Sequence, residues 1–260
     1  MAQDVALVTG ASSGIGAALA RRIAREGRNV ALVARRLDRL EALAREIERD
    51  AKVAAHAIAC DLTAPGAGAD LVAEVERRGL AVDWLVNNAG FGTVGRFFKL
   101  PLERELDELR LNVGVLMELT HRFLPAMVRR GRGAVMNIAS MAAFAPGPYM
   151  ATYCATKAFV LSFSESVADE VKGTGVHVLC VCPGFTRTEF QEHAHVDTNA
   201  IPSFVWMSAE DVADQAVRAV GRGPVLVNGR MNTITTVVTR LVPRGLLTRA
   251  ISGFLKPKEA

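Results

Sequence analysis

Residues 5–24 read Val-Ala-Leu-Val-Thr-Gly-Ala-Ser-Ser-Gly-Ile-Gly-Ala-Ala-Leu-Ala-Arg-Arg-Ile-Ala. The opening apolar run suits a strand covered on both faces. The closing Ala- and Leu-rich run favours helix. Between them Gly10, Gly14 and Gly16 permit positive φ and a close backbone approach to a ligand. The start of the helix offers unpaired N–H groups and a positive dipole end, which suit a pyrophosphate. The candidate contacts are Gly10, Ser12, Ser13, Gly14, Ile15 and Gly16. The spacing G-x3-G-x-G differs from G-x-G-x-x-G, and no Lys-Ser/Thr pair follows Gly16, so this is no Walker A loop. A glycine-rich turn can also serve only the turn.

Outward from this stretch, short β-rich runs alternate with longer helical ones. Strands are predicted near 5–9, 29–34, 53–59, 84–87, 134–139, 176–182 and 225–227. Helices are predicted over 15–26, 37–50, 67–78, a long stretch 102–130, then 151–172 and 209–220. Leu37, Leu40, Leu43, Ala44 and Ile47 recur at helical spacing with charges between them. Alternating β and α predicts an α/β fold: a single-domain, doubly wound (Rossmann) parallel sheet of about seven strands with helices on both faces. Residues 1–227 read as a dinucleotide-binding and catalytic domain with a lid over about 184–208, and 228–260 as an apolar, basic extension of that domain.

Composition narrows the class. The 260 residues are 50% hydrophobic and 22% charged, which excludes disorder. The net charge of +4 is too small to imply nucleic acid, and no recognition motif is present. Cys60, Cys154, Cys180 and Cys182 do not make a disulfide scaffold; Cys180 and Cys182 share one face of an apolar strand and read as buried thiols. No basic n-region precedes the first strand, and the charge-free run 133–156 carries Pro146-Gly-Pro148, so the expected location is the cytoplasm. No metal site is expected; His193 and His195 read as lid surface.

In such folds the ligand lies beyond the carboxyl ends of the strands. Polar and glycine residues collect there: Arg35-Arg36 after the second strand, Asp61-Leu62 after the third, Asn88-Ala89-Gly90 after the fourth, Ser140 after the fifth and Pro183-Gly184 after the sixth. An acid after the second strand would suit the ribose hydroxyls of NAD, whereas an arginine suits the 2′-phosphate of NADP. Here Arg35 is expected to lead and Arg36 to assist, though a basic pair can also simply solvate a loop.

Thr9–Gly16, Asn87-Asn-Ala-Gly90, Asn112, Ser140, Tyr153-x3-Lys157 and Pro183-Gly184 occur in the order seen in short-chain dehydrogenases/reductases, and the chain resembles that family over residues 4–227. Ala34-Arg35-Arg36 resembles its NADP-preferring branch. The resemblance implies NADP(H) as cofactor, with Asn112, Ser140, Tyr153 and Lys157 catalytic. It also implies cofactor contacts at Arg35, Arg36, Asp61, Leu62, Asn88, Ala89, Gly90, Tyr153, Lys157, Pro183, Gly184, Thr186 and Thr188. In the family pattern Lys157 also holds the nicotinamide ribose, and Asn112 positions a proton-relaying water.

The residues support that chemistry by themselves. Tyr153 and Lys157 are i and i+4, on one helix face. A free tyrosine titrates near ~10, so acid-base work near neutrality takes a shift worth ~4 kcal/mol. An adjacent ammonium favours the phenolate and is expected to supply part of it. Tyr153 would protonate a nascent alkoxide in ketone reduction, or deprotonate an alcohol in reverse. Ser140 would hydrogen-bond the carbonyl oxygen as charge develops.

The lid carries Phe185, Phe190, Ile201, Phe204, Val205, Trp206 and Met207, and Met141, Phe144, Tyr149 and Met150 face it. This predicts a hydrophobic carbonyl or alcohol substrate, although the same residues would also pack on a subunit. Arg218 to Lys258 holds eight Lys/Arg and no acid, with Ile234, Val237, Val238, Leu241, Leu246, Ile251 and Phe254 at roughly helical spacing broken at Pro243. That pattern fits a tail folded over the pocket, a partner subunit in a homodimer or homotetramer, or contact with a membrane surface. The reading is an NADPH-dependent oxidoreductase; a 3-oxoacyl-carrier-protein reductase and a catalytically silent dinucleotide sensor are the alternatives. Intact Ser140, Tyr153 and Lys157 disfavour the sensor.

Overall fold

A computed structural model describes residues 2–190 and 203–255. Seven parallel strands form one sheet: β1 (Gln3–Thr9), β2 (Val30–Ala34), β3 (Ala55–Ala59), β4 (Leu80–Asn87), β5 (Gly133–Ile138), β6 (Val176–Cys182) and β7 (Val225–Val227). Their order is β3-β2-β1-β4-β5-β6-β7, so the chain changes direction of travel between β1 and β4. The crevice beyond that switch is where such sheets bind ligands.

Alternation within β1 shows why both faces need cover. Ala6 and Val8 enter a core with α1 (Gly14–Ala24), α2 (Leu37–Ala51) and α7 (Ala209–Ala219). Val5 and Leu7 enter the opposite core with α3 (Ala67–Arg77) and α5 (Leu116–Arg130). Successive side chains of a strand point to opposite faces, so a strand apolar throughout is stable only between two helical layers. Leu40, Leu43, Ala44 and Ile47 bury the predicted stripe of α2, while Leu37 stays exposed at its start.

The long helix predicted over 102–130 is broken. Leu102–Leu109 forms α4, Arg110–Val115 widens into a π-helical turn, and α5 follows. Helix α6 (Ala151–Glu170) lies beside β5 and β6. A buried polar ladder fixes it there. Asn87 Nδ2 donates to Asn137 Oδ1 at 2.9 Å, Asn137 Nδ2 to Ser164 Oγ at 3.0 Å, and Ser164 Oγ to the Val160 carbonyl at 2.6 Å.

The tail forms α8 (Arg230–Leu241) and α9 (Arg244–Leu255), separated at Pro243 as its spacing predicts. Helix α8 packs against β7 and the turn Met141–Phe144, so it folds back beside the turn that follows Ser140. Its polar Thr236 is buried, whereas Ile234, Val237, Val238 and Leu241 are exposed. Lys256 and Lys258 lie outside the described residues. Among the described residues no helix is long and apolar enough to cross a membrane.

Candidate active site

The glycine-rich turn after β1 is a backbone cradle. Gly10 and Gly14 take φ of +66° and +54°. A Cβ on Gly16 would stand 2.3 Å from the Gly10 carbonyl oxygen. Helix α1 begins without a side-chain cap and without an acid in its first turn, leaving its dipole end to an anion. This arrangement fits a dinucleotide pyrophosphate. The Asn88 side chain supports it from behind: Nδ2 donates to the Thr9 carbonyl at 2.9 Å, and Thr9 Oγ1 accepts from the Asn88 and Ala89 amides at 3.0 Å. Thr9, quoted in the sequence but given no role there, thus joins two loops.

At the end of β2 the arginines part company. Arg36 Nη2 reaches Ser12 Oγ (3.0 Å) and Ser13 Oγ (3.1 Å), so this guanidinium, rather than the expected leader Arg35, lies on the phosphate loop. Arg35 is exposed; the Asp61 carboxyl is held below its ordinary value first by its Thr63 hydrogen bonds and only then by the Arg35 charge. Asp61 is also exposed and accepts from the Thr63 amide and hydroxyl, which closes its own turn; Leu62 is buried. Arg36 is further paired with Glu189, as is Arg39. Glu189 is a residue the sequence reading passed over.

Ser140, Tyr153, Lys157 and Asn112 converge. The Ser140 hydroxyl meets the Tyr153 phenol, and Ser140 Oγ accepts from the Ala142 amide at 3.1 Å. Lys157 Nζ donates to the Ile138 carbonyl at 2.9 Å and lies 5.6 Å from the Tyr153 ring centre. Asn112 sits in the π-helical turn, a device common at functional sites. Its Nδ2 donates to the Phe91 carbonyl (2.8 Å) and Thr156 Oγ1 (3.2 Å), and its Oδ1 accepts from the Phe91 amide. The loop after β4 needs glycine here: a Cβ on Gly90 would lie 2.8 Å from Asn112 Oδ1, and one on Gly92 2.9 Å from the Tyr153 ring.

The electrostatics differ from the expected pull of Lys157 on Tyr153. Burial dominates and pushes the phenol above its ordinary range; the Ser140 hydrogen bond opposes it. Burial also brings Lys157 down to about 8, because a desolvated ammonium is disfavoured. Turned to the Ile138 carbonyl, this ammonium stands charged beside the phenol only below that value.

Behind this group stand acids the sequence reading missed. Glu105 and Glu108 on α4 are buried, and Thr93 Oγ1 donates toward both. The Thr152 hydroxyl also donates to Glu105. Burial pushes Glu108 up to about 7, with the Thr93 hydrogen bond opposing and Glu105 adding to the rise. The i,i+3 spacing of two acids was legible. The inversion of the helix was not, for Leu102, Leu106 and Leu109 face outward.

The remaining sequence-predicted residues follow β6. Pro183 is buried and its carbonyl accepts from the Met141 amide at 2.9 Å. Gly184 lies against the Asn232 side chain, where a Cβ would come within 2.3 Å. Thr186 pairs with Met207, and Thr188 lies against Gly14. The Phe190 ring centre is 5.3 Å from that of Tyr153, and Phe185 stacks obliquely on Trp206. His193, His195 and Ile201 lie outside the described residues.

A model of the short chain dehydrogenase family matches residues 4–199. An uncharacterized oxidoreductase of Myxococcus xanthus is 33% identical over 251 residues, 96% of this chain and 97% of its own. A solved short-chain dehydrogenase from Sphingobium yanoikuyae in complex with NADPH is 34% identical with a TM-score of 0.81, covering 99% of this chain and 98% of its own. A solved 7beta-hydroxysteroid dehydrogenase structure superposes with a TM-score of 0.89 at 27% identity, over 96% of this chain and 97% of its own.

Proposed function

The chain belongs to the short-chain dehydrogenase family, and on that premise we propose that it interconverts a bulky hydrophobic ketone and its secondary alcohol with NADP(H). The observation that carries this reading is the buried Tyr153 phenol, approached by the Ser140 hydroxyl, with Lys157 Nζ 5.6 Å from its ring centre and the Phe190 ring against it. Two hydroxyls able to meet one substrate oxygen thus face an apolar wall.

The nicotinamide, when bound, supplies or accepts the hydride. Everything else falls to this chain. Gly10–Gly16 and the start of α1 bind the pyrophosphate through the backbone, and Arg36 with Ser12 and Ser13 binds the 2′-phosphate. Ser140 holds the substrate oxygen and stabilises developing charge. Tyr153, kept protonated by burial, is the proton donor in reduction. Lys157 keeps positive charge beside it, and Asn112 is a positioning residue that joins the Phe91 backbone to α6 through Thr156.

Three kinds of support bear on cofactor and substrate. No acid stands at the end of β2. The Sphingobium relative binds NADPH. The structural neighbour of TM-score 0.89 is a hydroxysteroid dehydrogenase, and in this chain Phe190 packs on Tyr153 while Phe185, close by in the sequence, packs on Trp206. The outward Leu102, Leu106 and Leu109 support self-association along α4.

The test is a spectrophotometric screen of NADPH and NADH oxidation with steroidal and other bulky ketones, aldehydes and oxoacyl thioesters. Turnover of bulky ketones with NADPH is expected. Turnover confined to oxoacyl thioesters, or to NADH, overturns the substrate or the cofactor part respectively.

A further inference from the structure

The crevice at the end of β2 already contains an anion, and the protein supplies it. Glu189 Oε2 lies 3.0 Å from Arg36 Nη2, and Glu189 Oε1 lies 2.5 Å from Arg39 Nη1. The same Arg36 nitrogen contacts Ser12 Oγ and Ser13 Oγ. Two guanidiniums therefore converge on one carboxylate, with the Ser12 and Ser13 hydroxyls holding the Arg36 nitrogen from the phosphate-loop side, an arrangement suited equally to a phosphate monoester. The carboxylate stands in for such a group. Its partners sit more than a hundred residues earlier in the chain, so the contact ties the segment after β6 to the end of β2 and the start of α2. The Arg39 hydrogen bond, followed by that of Arg36, holds the Glu189 carboxyl down at about 2, so it is ionised at every working pH.

We propose that Glu189 is a specificity-determining residue that competes with the cofactor's 2′-phosphate for the Arg36–Arg39 site. The inference rests on the proposed use of NADPH. Two anions cannot share one guanidinium pair without repulsion, so a 2′-phosphate binds only by displacing the carboxylate. The apparent affinity for NADPH is lowered by the affinity of Glu189 for the same site. NADH brings a neutral hydroxyl to this point and leaves the pairing in place. Glu189 thus narrows the preference that Arg36 creates.

The flanking residues give the competition a reach beyond the ribose. Thr188 abuts Gly14 of the phosphate loop, and Phe190 packs on Tyr153. The displaced residue lies between a wall of the cofactor cradle and a wall of the catalytic group.

Dissociation constants for NADPH and NADH, read by fluorescence titration of wild type, Glu189→Gln and Arg36→Ala, test it without turnover. These side chains are about one-third exposed (Arg36 37%, Glu189 33%), so water screens the pairing and the gain is set at the low end of charge-assisted bonds. Glu189→Gln is expected to tighten NADPH about 3- to 10-fold, with NADH within about twofold. Unchanged or weaker NADPH binding, or equal tightening of both cofactors, overturns the competition. Arg36→Ala reports separately on the phosphate site itself. If it weakens both cofactors equally, the cofactor reading fails; if it weakens NADPH alone while Glu189→Gln changes nothing, only the role of Glu189 falls.

Discussion

Glu105 and Glu108 share one hydroxyl: Thr93 Oγ1 lies 2.6 Å from Glu105 Oε1 and 3.0 Å from Glu108 Oε2. Glu108 is wholly buried, and its Oε1 has no hydrogen-bond partner among the described residues. Burial raises its carboxyl from 4.5 to about 7. The folded protein therefore holds a proton that the unfolded chain releases between these values. Stability from this residue is complete below about 4.5, falls as pH rises to about 7, and is level above. Glu108→Gln should accordingly gain on wild type with rising pH, by on the order of 2–3 kcal/mol at pH 8. In thermal melts the difference in Tm should widen by about 5–10 °C from pH 4.5 to 8. A pH-independent difference would show that Glu108 is not the group that titrates.

Tyr153→Phe keeps the ring that packs on Phe190 and removes the hydroxyl that meets Ser140. Loss of the proton donor should lower kcat by at least ~10²-fold while NADPH binding stays close to wild type. The wild-type pH profile should also carry a signature. The phenol stays protonated through the working range, whereas Lys157 loses its proton near 8, so ketone reduction should decline above that pH. Retention of more than a tenth of wild-type kcat in the variant would remove Tyr153 from the proposed role.

Gly16→Ala would place a methyl 2.3 Å from the Gly10 carbonyl oxygen and 2.5 Å from Asn88 Nδ2. The loop must shift, because its neighbour on one side is backbone. A displacement of about 1 Å costs on the order of 10²-fold in a positioned site, and cofactor affinity should fall on that scale. Calorimetric or fluorescence titration measures it, with a thermal melt confirming a folded protein. Wild-type affinity in the folded variant would show that the cradle does not touch the cofactor.

Leu102, Leu106 and Leu109 leave 62%, 41% and 44% of their surfaces exposed on one side of α4. An apolar stripe in that position is expected to be covered in solution by a second copy. Leu106→Glu should reduce the mass seen by light scattering after gel filtration, with little change in monomer stability since the residue is exposed. A monomeric wild type, or an unchanged assembly, would rule out this face.

The sheet and its helices were legible because apolar runs buried on both faces and the α2 periodicity leave little freedom of interpretation. Strand β6 matches its predicted bounds, Val176–Cys182, since its apolar run ends at Pro183. The π-helical turn at Arg110–Val115 was not legible: nothing local marks it, and it depends on the contacts Asn112 makes across space. The same holds for Glu105 and Glu108, whose spacing resembles any solvated helix face. Arg36 and Arg35 were distinguishable only once the strand end fixed which one points at Ser12 and Ser13. Glu189 was invisible because its partners lie at the other end of the chain. Periodicity reports what a residue's own element does, and these roles are set by other elements.

The ladder from Asn87 through Asn137 to Ser164 acts as a check on assembly. Asn87 and Asn137 are register partners across β4 and β5. Sliding one strand by a single residue would reverse its faces and leave buried amides without partners, at about 1–3 kcal/mol for each lost bond. Hydrophobic strands of Val, Leu and Ala carry no such address of their own, since one apolar contact substitutes readily for another. Ser164 extends the address to α6, eleven residues beyond Tyr153, roughly three helical turns. The height at which Tyr153 and Lys157 stand above the sheet is thereby keyed to two amides in its middle. A chain that misplaced its strands would announce the error in the core before any substrate arrived.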